Sequence, residues 1–251
     1  MQLKDKVIVI TGAGAGIGRA TALLFAEAGA HVVAGDIDAD RLESLRVTLR
    51  EKNLEIICTP GDIARAGDAA RLVGTAIQAH GRVDVLCNIA GIMDGFTPVG
   101  DLSDDLWRRV LGVNLDGPMF TCRSALPHMV AERGGVIVNV ASVAGLVGGV
   151  AGAAYTTSKH ALIGLTKNIA WQYAPQGIRC LALCPGGVAT SIDVSHPNPL
   201  GWERAQVASA ASVRIAAPEE IGRVILFFAS NEASFVNGAV VPVDGGWLAG
   251  G

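Results

Sequence analysis

Seven short apolar runs alternate with helix-compatible segments along nearly the whole of this 251-residue chain. The strand-like runs are Val7–Ile10, His31–Ala34, Glu55–Cys58, Val83–Asn88, Val136–Val140, Arg179–Cys184 and Val240–Val243. Most are continuously apolar rather than alternating, the pattern of strands covered on both faces. Between them lie helical stretches at Ile17–Glu27, Ala39–Glu51, Arg65–Ala79, Ser103–Val130, Ala153–Ala174 and Pro218–Ala229. Ser103 is placed to cap its helix, Pro175 and Gly177 to stop the next, and Pro218 before two glutamates to open the last. Such alternation predicts an α/β fold, one open, doubly wound parallel sheet of about seven strands with right-handed crossovers and helices on both faces. No internal repeat or composition break interrupts it, so residues 1–251 are expected to form a single domain. The longest irregular stretch runs from Gly186 to Gly201, and a lid is expected near residues 186–215.

Composition removes several alternatives. Half the residues are hydrophobic and 17% are charged, which excludes a disordered chain. A net charge of −3 with no basic run argues against nucleic acid as a partner. The stretch from Gly134 to Ser158 carries no charge and is long enough to span a bilayer. It holds six glycines together with Asn139, Ser142, Thr156, Thr157 and Ser158, so a strand, a loop and a helix start explain it better than a membrane span. The five cysteines are scattered, and Cys180 and Cys184 read as buried strand residues because no histidine stands nearby to complete a metal site. In "MQLKDKVIVITG" charges precede a short apolar run, unlike a secretory signal, so a reduced, cytoplasmic protein is expected.

The first strand runs directly into "TGAGAGIGRA" at Thr11–Ala20. Gly12, Gly16 and Gly18 leave the backbone open where a pyrophosphate approaches the N-terminal amides of the next helix. Asp36 ends the second strand eighteen residues beyond Gly18, close to the ~20 that sets an acid against the adenosine ribose. Strand, glycine loop, helix and acid together imply a Rossmann-like dinucleotide site. A 2′-phosphate ~4 Å from that carboxylate meets repulsion of about 4 kcal/mol at an effective dielectric near 20. Half of that still exceeds tenfold. No Lys or Arg stands at Ala15 or Ile37 to offset it, so NAD is expected rather than NADP.

Lys159 is the first charged residue after Arg133, and it stands four positions beyond Tyr155, one of two tyrosines in the chain. That spacing puts phenol and ammonium on one helical face. Reducing a ketone with hydride requires a proton for the developing alkoxide, and the reverse reaction requires its removal. A phenol with a pKa of ~10 needs a cation beside it to act as a base near neutrality. Ser142 lies thirteen residues before Tyr155, at the end of a strand.

With these motifs in this order, the sequence resembles the short-chain dehydrogenase/reductases over almost its entire length. The carriers are "TGAGAGIG" at Thr11–Gly18, "GDI" at Gly61–Ile63, "NIAG" at Asn88–Gly91, Asn114 in "VNLDG", Ser142 in "VNVAS", "YTTSK" at Tyr155–Lys159 and "PGGVAT" at Pro185–Thr190. The resemblance implies that Asn114, Ser142, Tyr155 and Lys159 form the catalytic set. Tyr155 would be the acid/base. Lys159 would lower its pKa and hold the nicotinamide ribose, Ser142 would orient the substrate oxygen, and Asn114 would hold a water relaying protons to Lys159. It further implies cofactor contacts from Gly12, Gly16, Ile17, Gly18, Asp36 and Ile37, and from Asp62 near the adenine with Ile63 against its ring. Asn88, Ala90 and Gly91 would line the adenosine side. Pro185, Gly186, Val188 and Thr190 would meet the carboxamide and pyrophosphate. Ile89 stands where the family carries a second asparagine.

Candidate pocket walls are Met93, Asp94, Phe96, Ala144, Leu146, Val147 and Val150, with Ile192 and Trp202 from the lid. They are mostly apolar and suit a small to medium secondary alcohol or ketone. A 3-oxoacyl-carrier reductase is the alternative, opposed by the acid at Asp36 because biosynthetic reductions generally draw on NADPH. A non-catalytic nucleotide-binding protein is opposed by the intact Tyr155–Lys159 pair. The resemblance also implies a homotetramer.

Overall fold

The computed structural model describes residues 3–250. Seven parallel strands make one sheet: β1 (Val7–Thr11), β2 (His31–Asp36), β3 (Ile56–Pro60), β4 (Val85–Asn88), β5 (Gly135–Val140), β6 (Ile178–Pro185) and β7 (Val240–Val243). Their spatial order is β3-β2-β1-β4-β5-β6-β7. The helices are α1 (Gly16–Glu27), α2 (Ala39–Arg50), α3 (Ala66–His80), α4 (Asp104–Leu111), α5 (Gly117–Ala131), α6 (Ala153–Gln172), α7 (Pro199–Ser209) and α8 (Pro218–Ala229).

Period-two alternation within each strand sends neighbours to opposite faces. Ile8 and Ile10 pack with Phe25 of α1, Leu42, Leu45 and Leu49 of α2, and Ile221, Ile225 and Phe228 of α8. Val7 and Val9 pack on the other face with Leu72 and Val73 of α3, Met129 of α5 and Ile169 of α6. Both faces are therefore dry, which is why the strands read as unbroken apolar runs. All five cysteines are free, and four of them are buried. Among the described residues, no helix is long and apolar enough to cross a membrane.

Two local features differ from the sequence reading. The helix expected over Ser103–Val130 is three pieces, because a π-helical turn at Gly112–Asp116 separates α4 from α5. Ser103 caps α4, its Oγ accepting from Leu106 N at 3.2 Å. The end of the irregular stretch after β6 begins a helix, α7, opened by Asn198, whose Oδ1 accepts from Gly201 N at 3.1 Å. The strand order reverses between β1 and β4. Such a switch point leaves a crevice beyond the carboxyl ends of the strands, and there the candidate residues gather.

Candidate active site

At the mouth of this crevice the chain leaves β1 and turns tightly into α1. Gly12 has φ +67°, and a Cβ on it would lie 2.8 Å from Ala90 Cα, while one on Gly18 would collide with the Gly12 carbonyl. The loop therefore folds only with hydrogens at these positions. Ala15 is the N-cap of α1 and gives the first turn no side-chain acceptor, which leaves an anion-binding helix end. Thr190 covers Gly16, its Cβ 3.0 Å from where a Gly16 Cβ would be. A cleft of about 240 Å³ opens there, lined by Gly16, Arg19 and Thr190 among others. Asp36 stands beside the glycine loop: its Oδ2 accepts from Gly14 N at 2.8 Å and its Oδ1 from Asp38 N at 3.0 Å. Ile37 beside it is 73% exposed.

Deeper in the crevice, α6 carries Tyr155 and Lys159, both buried. Lys159 Nζ lies 5.5 Å from the Tyr155 ring centroid and donates to Val140 O at 3.0 Å. Burial pushes the Lys159 ammonium down to about 8, the Cys184 thiol opposing this in part. Burial pushes the Tyr155 phenol up to about 12, against a hydrogen bond with the Ser142 side chain and with the Asp94 carboxylate adding to the rise. Ser142 Oγ also accepts from Ala144 N at 3.1 Å, so one hydroxyl both caps the turn after β5 and meets the phenol. Asn114 sits in the π-helical turn, fully buried. Its Oδ1 accepts from Ile92 N at 2.9 Å, and its Nδ2 donates to Ile92 O at 3.0 Å and Ser158 Oγ at 3.2 Å. Ser158 Oγ in turn donates to Tyr155 O at 2.7 Å. A Cβ on Gly91 would lie 3.4 Å from both Asn114 Oδ1 and Lys159 Nζ, so the absent side chain leaves room beside the buried ammonium.

Comparison with known proteins decides the family. The family model described as enoyl-(acyl carrier protein) reductase matches residues 12–248. A 3β-hydroxysteroid dehydrogenase 2 of Eggerthella lenta is 40% identical over 98% of this chain and 96% of its own length. A short chain dehydrogenase of Penicillium rubens is 38% identical over 98% of each chain. The chain is a short-chain dehydrogenase/reductase. Among solved structures, levodione reductase superposes with a TM-score of 0.89 at 33% identity, covering 98% of this chain and 99% of that one. A Beutenbergia cavernae protein, provisionally named an NAD(P)-dependent gluconate 5-dehydrogenase and holding NADP at low occupancy, gives 0.88 at 38% identity, covering 99% and 98%. The protein thus belongs to an oxidoreductase family whose members use nicotinamide dinucleotides.

The residues present fit that dinucleotide. An uncapped helix end, an acid at the end of β2 and a buried ammonium beside the open space at Gly91 are groups that a pyrophosphate, an adenosine ribose and a nicotinamide ribose would use. The loop after β4 is held by Thr11 Oγ1, which accepts from Ile89 N at 3.0 Å and Ala90 N at 3.2 Å. Pro185 ends β6, and Gly186 N donates to Val243 O at 3.2 Å. Val188 pairs with Ala216, fixing the segment that leads to Thr190.

Several side chains lie elsewhere than the sequence suggested. Asn88 was expected along the adenosine, but its side chain turns into the core, donating to Asn139 Oδ1 at 2.8 Å and accepting from Thr121 Oγ1 at 2.6 Å. Ile63 was expected against the adenine. It is buried, packed so closely on Gly117 that a Cβ there would lie 2.7 Å from its Cδ1. Ile17 packs in part against the core under α1. Asp62 Oδ1 accepts from Ala64 N at 3.0 Å. Leu146 packs against the cluster of Ala141, Leu162, Ile163, Ala182 and Cys184. Asp94 is no pocket wall: it is buried and bonded to three backbone amides. Met93, Ala144 and Val150 do pack around Tyr155. Val147 is half-buried, Trp202 meets Phe96 edge-on at 4.9 Å, and Ile192 is exposed. The phenol's pKa is raised rather than lowered, because desolvation of the phenolate outweighs the hydrogen bond with the Ser142 side chain. Sequence reasoning missed Thr11, Ser158 and Asn139. The signal for Asn139 was present, as an amide inside an otherwise apolar strand.

Proposed function

We propose that this enzyme is an NAD-dependent alcohol dehydrogenase/carbonyl reductase acting on a small to medium, mostly apolar secondary alcohol or ketone. The observation that carries this is the buried Tyr155–Lys159 pair, with Ser142 on the phenol and Met93, Ala144 and Val150 around it. The bound dinucleotide supplies the hydride donor or acceptor. Tyr155 is the proton donor in the reducing direction. A phenol at about 12 is fully protonated near neutrality and still more acidic than an alcohol whose pKa lies near the ~16 of water, so transfer to the alkoxide runs downhill. Ser142 orients the substrate oxygen from the far side of the phenol. Lys159 keeps a positive charge near the phenolate that remains and reaches the nicotinamide ribose past Gly91. Asn114 braces the site: its amide holds Ile92 and, through Ser158, the backbone of Tyr155. One lone pair of its Oδ1 is left for the relay water.

Asp36 supports NAD over NADP, since its carboxylate stays at the glycine loop through the Gly14 amide. The similarity to a hydroxysteroid dehydrogenase supports a hydroxyl on an apolar frame. Residues 186–215, with α7 at their centre, act as the lid of a single domain spanning 1–251. Trp171 and Phe235, 82% and 102% exposed, are apolar surface suited to burial in a homotetramer. The free cysteines accord with a reducing cytoplasm.

The test is a panel of secondary alcohols, including a 3β-hydroxysteroid, incubated with NAD or NADP and followed by the near-ultraviolet absorbance of the reduced cofactor. Turnover with NAD is expected, and Tyr155→Phe should lose at least ~10²-fold while NADH binding is retained. Substantial turnover by Tyr155→Phe would overturn the role given to the phenol.

A further inference from the structure

The first turn of α6 is capped from outside its own sequence. Its N-cap is Gly152, which has no side chain to offer. Asp94, on the loop after β4, supplies the acceptor instead: Oδ2 accepts from Tyr155 N at 2.9 Å, and Oδ1 from Gly152 N at 3.2 Å. The Tyr155 amide is the third of the helix, the one an N-cap side chain ordinarily serves. The substitution in trans is tight. A Cβ on Gly152 would lie 2.5 Å from both carboxylate oxygens and would collide with the Thr97 amide. Asp94 is buried, and its negative charge faces the positive end of the helix dipole.

The same carboxylate also organises its own loop. Asp94 Oδ1 accepts from Phe96 N at 3.1 Å. Phe96 is held there at φ 58°, a left-handed conformation that a bulky residue adopts only under constraint. Thr97 Oγ1 closes the turn onto Asp94 O at 2.6 Å, and Ala153 N of α6 donates to Thr97 O at 2.9 Å. On its outer side this loop carries the segment proposed as the lid. Asn198 N donates to Gly95 O at 2.7 Å, Gly201 packs directly on the Phe96 carbonyl, and Trp202 meets the Phe96 ring. Loop 94–97 is thus a bracket with the catalytic helix on one side and α7 on the other.

We propose that Asp94 is a positioning residue: by capping α6 and fixing Phe96 at once, it sets Tyr155 at the site and couples α7 docking to the catalytic helix. The inference rests on Tyr155 being the acid/base, but its first test does not require turnover. Hydrogen exchange by mass spectrometry on the whole protein should show Asp94→Ala quickening exchange in both residues 152–158 and residues 198–206. The expected factor is roughly 5- to 30-fold, the loss of one cap, with α3 and β5 unchanged. If Asp94→Ala does not fold, Asp94→Asn serves, since its amide keeps the shape and turns a donor toward one of these N–H groups; the same two segments should respond. Quickening confined to 152–158, or none, would overturn the coupling.

The second test separates positioning from mere support. The charged groups facing the phenol are Lys159 from α6 and Asp94 from the loop; the Cys184 thiol of β6 lies near Lys159, and Asp244 after β7 near Cys184. Removing the Asp94 charge makes the phenol easier to ionise. With NAD and the best alcohol of the panel, Asp94→Asn should therefore begin its rise in oxidation rate at lower pH than the parent. A lower melting temperature with an unmoved pH profile would reduce Asp94 to a helix cap. A parent inactive on the whole panel would count against the proposed function alone, because the exchange result stands without it.

Discussion

Lys159 places a charge where the protein is least able to solvate it, and Lys159→Met measures what that placement costs. The ammonium falls from 10.5 to about 8 on folding, and at 1.36 kcal/mol per tenfold change that is about 3 kcal/mol of lost stability near pH 7. The sign follows from proton counting. Between about 8 and 10.5 the unfolded chain binds a proton that the native state has released, so stability rises with pH across that window. Methionine keeps most of the stem's packing and removes the charge, but it also leaves the Val140 carbonyl without its donor, a cost of about 1–3 kcal/mol. Near pH 7 the two nearly offset, so the variant should be as stable as the parent or up to ~2 kcal/mol more stable. Near pH 10.5 the charge penalty is gone and only the orphaned carbonyl remains. Urea unfolding of both proteins at the two pH values should show the difference moving by about 3 kcal/mol in the parent's favour. A difference that stays constant within ~0.5 kcal/mol would show that Lys159 is solvated in the native state, and the electrostatic account of the site would fail with it.

Three further outcomes are expected. Asp36→Ala should narrow the NAD/NADP preference at least tenfold, since the repulsion on a 2′-phosphate disappears; an unchanged kcat/KM ratio would show that the acid does not read the ribose. Asp84, buried just before β4, feels burial pushing its carboxyl up, yet the Val7 amide, Arg82 and Lys6 hold it below the usual carboxylate value. Asp84→Asn should therefore cost about 2 kcal/mol near neutrality, and the cost should fade only as pH falls through the acid range below ~4; chemical unfolding across that range checks it. In the reducing direction, activity should fall as pH rises past about 8, where Lys159 loses its proton, and a flat profile to pH ~10 would contradict that.

Much of this was legible in the chain. The continuity of Val7–Ile10 and Val136–Val140 announced strands covered on both faces, and "TGAGAGIG" announced the tight turn from β1 into α1 beside which Asp36 stands. These are local facts, because a strand's apolarity and a loop's glycines are needed wherever the fold places them. The helix α7 was not legible: Pro197, Pro199 and Gly201 read as loop, and the cap from Asn198 and the seat on Phe96 make the helix. The π-helical turn at Asn114 was equally hidden, since Gly112 and Asn114 weaken a helix without saying how it will widen.

The sequence by itself determined which chemistry the protein carries: a phenol and an ammonium four residues apart, a serine after a strand and an acid after the second strand. Helical periodicity alone sets Tyr155 beside Lys159. Tertiary structure decided the energetics, because solvation and charge depend on neighbours distant in the chain. Only packing raised the phenol and lowered the ammonium. Only the return of the loop after β4 put the Asp94 carboxylate at the start of a helix 58 residues further on, a contact for which no spacing in the sequence is a sign.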